Sequence, residues 1–131
     1  MKNFTFIKNC VNGLYTGEKH NGNVFFDGVN VYSYGYHFPL LVKIADKWVV
    51  NQSSYSSSTS KHISYARQYA DFSMFTSSKD IATIYKNSIL QLDELCAKRE
   101  ALTARAFRKR ESIQHDIDLL VRLVSFLAPL K

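Results

Sequence analysis

The run Ser56-Ser57-Ser58-Thr59-Ser60-Lys61-His62 places hydroxyls, an ammonium and an imidazole at the expected start of a helix. Free backbone amides, hydroxyls and the positive end of a helix together make an anion site. Capping of a helix after a polar loop explains the same residues without a ligand. With Tyr34 and Tyr36 from the preceding strand, Ser58, Thr59, Lys61 and His62 form a candidate pocket for a nucleotide or another anion. The run is not a phosphate loop of the G-x-x-x-x-G-K-[ST] kind. Neither that pattern nor a G-x-S-x-G elbow, a kinase signature or a dinucleotide fingerprint occurs in the chain.

Among the histidines His20, His37, His62 and His115, the pair flanking the central strands is His37 and His62. If those two converged beside Lys61, one as base and one as acid, they would cleave RNA without a metal. Hydrogen bonding at strand and helix ends is the plainer role for each. No H-x-x-x-H, H-E-x-x-H or paired cysteine occurs, so neither a metal site nor a cofactor is expected. Cys10 and Cys96 stand alone and far apart, as ordinary thiols of a reducing compartment do. No residue is assigned a catalytic role, and the chain is expected to be a non-enzymatic binding protein.

Charge gives a stronger signal. The 131 residues carry a net +6. Lys98, Arg99, Arg105, Arg108, Lys109 and Arg110 face only Glu100 between residues 98 and 110. Such a block coats a solvated helix, or it meets nucleic-acid phosphates or an acidic protein surface. Arg99 and Arg110 fall inside the angular range of an apolar stripe. There they snorkel, pair with Glu100 or Glu111, or mark where the helix stops packing.

These residues need elements to hold them. Residues 77–128 contain no glycine or proline, and eleven apolar residues from Ile81 to Leu127, Leu92, Leu95, Leu102, Ile113, Ile117 and Leu120 among them, recur at helical spacing. Ser77 or Ser78 is the expected cap, Asp80 suits the first turn, and Pro129 stops the pattern. As one rod, this stretch would reach on the order of 75 Å. It therefore pairs with another chain as a coiled coil or helical bundle, or folds back within Lys98–Ser112 with Thr103 or Ser112 as a cap. The absence of turn residues favours a continuous helix and a homodimer through residues 77–128.

Upstream, Asn3–Lys8 alternates like a strand and Asn12–Asn23 reads as loop. Val24–Phe26 enters an Asp27-Gly28 hairpin, and Val29–Tyr36 returns, with Tyr32, Tyr34 and Tyr36 on one face. Leu40–Ile44, a turn at Ala45-Asp46-Lys47 and Trp48–Asn51 complete a meander whose core is Val24, Phe26, Val31, Leu41 and Val49. A short helix from Ser60 to Phe72 and an apolar link at Phe72–Phe75 lead to the rod. The class is α+β, a small antiparallel meander followed by a short helix and a long C-terminal helix or helical hairpin. The partition is a sheet region at 1–60 and a helical region at 61–131. No apolar run spans a bilayer, and the first residues lack a signal-peptide core, so the cytoplasm is the expected location.

Residues 24–62 also carry a resemblance, in Tyr32-Ser33-Tyr34-Gly35, His37-Phe38-Pro39-Leu40, Trp48–Asn51, Tyr55-Ser56 and Ser58-Thr59-Ser60-Lys61-His62. The segment resembles one that recurs in small accessory proteins of phages and mobile elements, a family without an established activity. The resemblance implies a phage-type protein that binds and blocks a host defence complex in the host cytoplasm, as anti-CRISPR proteins do. The expected partner is then a nucleic-acid-handling complex such as a CRISPR effector, met by the basic residues at 98–110. Direct DNA or RNA binding, capture of a nucleotide signal and metal-free RNA cleavage are the alternatives.

Overall fold

The computed structural model describes residues 2–53, 57–103 and 105–131, with the side chains of Ser57 and Ser58 also outside the description. The chain forms two compact units, residues 1–79 and 80–131. The expected partition at 60/61 assigned residues 61–79 to the helices, whereas they belong to the first unit.

Short, nearly continuous apolar runs between Val24 and Asn51, buried on both faces, build the sheet of that unit. Its strands are β1 (Lys19–Asn21), β2 (Val24–Phe26), β3 (Val31–Ser33), β4 (Pro39–Ile44), β5 (Lys47–Asn51) and β6 (Phe72–Met74). They lie side by side in chain order, antiparallel through β5, with β6 parallel to β5. Between β5 and β6 runs helix α2 (Ser57–Arg67), the crossover that a parallel pair needs. Asp27 closes the β2–β3 turn by accepting from the amides of Val29 and Asn30 at 2.8 and 2.7 Å.

The first helix, α1 (Asn3–Val11), stands where a strand was expected. Phe4 and Phe6 do alternate, but Phe6, Ile7 and Cys10 share one helical face and are buried. A window extended to Val11 holds the helical period that Asn3–Lys8 is too short to reveal. Lys19-His20-Asn21, read as loop, is an edge strand held by a two-residue turn at Gly22-Asn23. Phe72–Met74, read as a link, is a strand.

Helices α1 and α2 cover one sheet face. Phe6, Ile7 and Cys10 of α1 and Ile63 and Ala66 of α2 join Val24, Phe26, Val31, Leu41, Trp48 and Val50 in one buried cluster. Burial pushes the Cys10 thiol up to about 12. The opposite face is also apolar, since Phe25, Tyr32, Val42, Val49 and Met74 are buried there.

The second unit is a helical hairpin of α3 (Ile81–Ala101) and α4 (Phe107–Leu127), closed by a 3-10 turn at Ala128–Leu130. A continuous rod was favoured, and the chain instead breaks after Ala101, with Leu102 extended at ψ 139°. Asp80 itself caps α3, its carboxylate accepting from the Thr83 amide at 2.9 Å. Neither Thr103 nor Ser112 caps α4. Its cap position is Ala106, without a side-chain hydrogen bond. Of the expected stripe, Ile84, Ile117, Leu120 and Leu127 are buried and the other seven residues are half-buried. Burying that stripe was the reason to expect a second copy of the chain, and the hairpin packs it within one.

The β4–β5 turn stores local strain. Ala45 and Asp46 both take positive φ, 48° and 63°, in a two-residue hairpin that favours Asn-Gly. A Cβ in the left-handed region costs roughly 1–2 kcal/mol. The double substitution Ala45→Asn, Asp46→Gly is therefore expected to raise stability by about 1 kcal/mol, seen as a higher urea midpoint with an unchanged slope.

Candidate functional site

The sequence-derived candidates sit in three places. His62 lies in α2, facing the sheet, and is buried. Its Nδ1 is 2.7 Å from Ser33 Oγ, and its Nε2 is 3.2 Å from Asn3 Nδ2. Asn3 Oδ1 in turn accepts from Asn21 Nδ2 at 2.8 Å. With the Asn3 amide assigned this way, the network has one direction. Asn21 donates to Asn3, Asn3 donates to His62, and Nδ1–H of His62 donates to Ser33. The imidazole thus offers its proton to Ser33 rather than a lone pair, the reverse of what activates a serine. Ser33 is wholly buried, with no exposed surface at which to attack a substrate. These contacts join α1, β1, β3 and α2, and what they do is hold the helices on the sheet.

The six residues of the expected anion pocket do not share one surface. Tyr34 has φ 65°, which takes it out of the strand alternation. It stacks on His62 at 5.7 Å, on the helix-covered side, and stays 45% exposed. Tyr36 packs against Phe25 and Tyr32 at 4.9 and 5.0 Å on the opposite side, and its hydroxyl donates to Glu18. Lys61 is exposed while its neighbour His62 is buried, since adjacent helix residues do not face each other. Thr59 is buried, and the Ser58 side chain lies outside the described residues. His37 sits in the β3–β4 turn, its carbonyl accepting from Ser77 Oγ at 3.3 Å.

Tyr32 belongs to a cluster that sequence reading did not anticipate. His20, Phe25 and Tyr32 stack in sequence across β1, β2 and β3, with centroids 5.2 and 5.1 Å apart. The Tyr32 hydroxyl donates to Asp27 at 2.8 Å and accepts from Lys79 at 3.0 Å. Burial works against the ionised Asp27, yet the amides of Asn30 and Val29, the Tyr32 hydroxyl and Lys79 together hold its pKa below the usual carboxylate value. Cross-strand pairing of three aromatic rings was the available signal, and it required knowing β1.

The basic residues, by contrast, come together. Lys98 and Arg99 occupy the last turn of α3, Arg105 the connection, and Arg108, Lys109 and Arg110 the first turn of α4. All gather at the hairpin tip, and Ala104 there lies outside the described residues. Five are exposed, and Arg99 is half-buried. Arg99 donates to the Gln114 side-chain carbonyl, and Gln114 donates to Asp118 at 2.8 Å. An amide, not a carboxylate, therefore holds this guanidinium. Among the described residues, none of the six cations is ion-paired within the chain.

Cations stabilise the end of α3 but oppose the start of α4, whose dipole is positive there. The α4 start has neither an acidic residue in its first turn nor a side-chain cap, and its first amides have no intrahelical acceptor. Two open grooves flank the tip. One, of about 380 Å³, is lined by Arg99, Phe107, Arg110, Glu111 and Gln114. The other, of about 520 Å³, has Leu95, Leu102 and Ile113 beside Lys98 and Lys109. Among the described residues, no group of three or more His, Cys, Asp or Glu could hold a metal ion, and no helix is long and apolar enough to cross a membrane.

Comparison with protein-family models, with curated proteins and with solved structures found no match for this chain.

Burial lowers the pKa of His62 below its ordinary value of 6.5. The unfolded chain then binds a proton that the folded chain refuses, so this contribution to stability is complete above about pH 6.5 and is lost as pH falls from there through the folded pKa. Urea denaturation at about pH 7.5 and about pH 5.5 is expected to give a lower midpoint in acid, and His62→Gln to reduce that difference.

Proposed function

We propose that this chain is a non-enzymatic accessory protein that binds nucleic acid through the tip of its helical hairpin. The observation that carries this reading is the set of six tip cations, clustered around a helix start without a side-chain cap and, among the described residues, without carboxylate partners. Phosphates satisfy each element of that arrangement. They pair with exposed ammonium and guanidinium groups, accept from the free amides at the α4 start, and lie at the positive end of the helix dipole.

The sign of the charge favours nucleic acid itself over the protein that handles it. Surfaces that hold nucleic acid are basic and would repel this tip. The nucleic acid within such a complex would attract it. The phage-type provenance implied by residues 24–62 fits the same mode, in which inhibition of a host defence complex, a CRISPR effector for example, works by engaging its nucleic acid.

The placement of the cations makes the test clean. A glutamate at Lys109 lies in the first turn of α4, where the dipole favours an acid by roughly 0.3–1 kcal/mol, so loss of binding there is not loss of fold. Wild type is expected to bind short oligonucleotides at about 50 mM salt and to weaken steeply toward about 200 mM. Arg105→Glu with Lys109→Glu should abolish most of that affinity and lower the magnitude of the log–log salt slope by about two. No complex at low salt, or a double variant that binds like wild type, removes the tip from the function.

A further inference from the structure

Phe107, the first residue of α4, is 63% exposed amid the basic tip. An aromatic ring left in water is unfavourable for the free chain, and nothing in the helical pattern requires one there. Its ring lines the groove of about 380 Å³ together with Arg99, Arg110, Glu111 and Gln114. That volume is at the small end of ligand sites and has room for a single flat ring.

The chemistry of the lining separates base from backbone. Glu111 repels a phosphate but accepts hydrogen bonds from the ring N–H or amino groups of a base. Arg99, held in place by the Gln114 carbonyl, presents a planar guanidinium that stacks on a base. Arg108, exposed in the same first turn, and Lys109, which lines the other groove, are left for the flanking phosphates. A base inside a duplex is already stacked on its neighbours and cannot enter.

Resting on the reading that the tip binds nucleic acid, we infer that its ligand is single-stranded, with one unstacked base taken into the groove against Phe107. The ring supplies preference for single strands, and the cations supply charge-dependent affinity for any strand.

The test compares wild type, Phe107→Ala, Phe107→Trp and the Arg105→Glu/Lys109→Glu variant. Fluorescence anisotropy is read with a labelled single strand and with the duplex of the same sequence, at about 50 mM salt. Wild type is expected to prefer the single strand. Phe107→Ala should lose about five- to hundredfold of single-strand affinity and leave duplex binding unchanged, while Phe107→Trp retains the preference. An unchanged urea midpoint for Phe107→Ala excludes unfolding as the cause. The inference is overturned if Phe107→Ala binds the single strand like wild type, or loses both ligands equally, while the charge variant still binds neither. Absence of wild-type binding to both ligands overturns the parent reading as well.

Discussion

Burial of one apolar stripe governs the second unit. Eleven residues from Ile81 to Leu127 need to leave water, and a straight rod would keep them wet unless another molecule covered them. Folding back lets α3 and α4 cover each other, and hydrophobic burial of several large side chains outweighs the cost of interrupting helix at Leu102. The break falls inside the cation block, between Arg99 and Arg108. Packing thus turns a charge block spread along sequence into a compact basic end, and the electrostatic character of the tip is a consequence of the fold-back.

In the first unit, polar contacts decide what the candidate chemistry residues do. His62, Ser33 and Asn3 come from three elements far apart in sequence, and they meet where Ser33 and His62 are buried and Asn3 is half-buried. There each nitrogen and hydroxyl needs a partner, because an orphaned buried polar group costs about 1–3 kcal/mol. The partners they find are one another. A neutral imidazole with both nitrogens engaged serves to fix two helices on a sheet, and the same constraint removes it from reach of solvent.

The parts of the fold that could be read in advance were those with a clear period. The strands around Val24–Phe26 and Leu40–Asn51, the Asp27-Gly28 turn, the core positions Val24, Phe26, Val31 and Leu41, and the helical stripe all announce themselves, whereas Val49, expected in the same core, is buried on the opposite face. What stayed hidden depends on pairing across the chain. Lys19–Asn21 has no apolar residue and becomes a strand through β2. Phe72–Met74 is too short to be distinguished until β5 lies beside it. Tyr34 leaves the alternation through a positive φ that no tyrosine advertises. The basic tip was legible residue by residue, but its compactness was not, since Leu102-Thr103 carries no turn chemistry. The exposure of Phe107 was not legible either, because it follows from where the second helix begins.

The order of strands across the sheet has a kinetic consequence. Each strand neighbours the one made just before it, so a chain leaving the ribosome can add strands at one growing edge, and no early strand waits for a distant late one. Loop-closure entropy stays small at every step except the last, where α2 separates β5 from β6. Assembly of the sheet should therefore run with synthesis and slow only at that final docking.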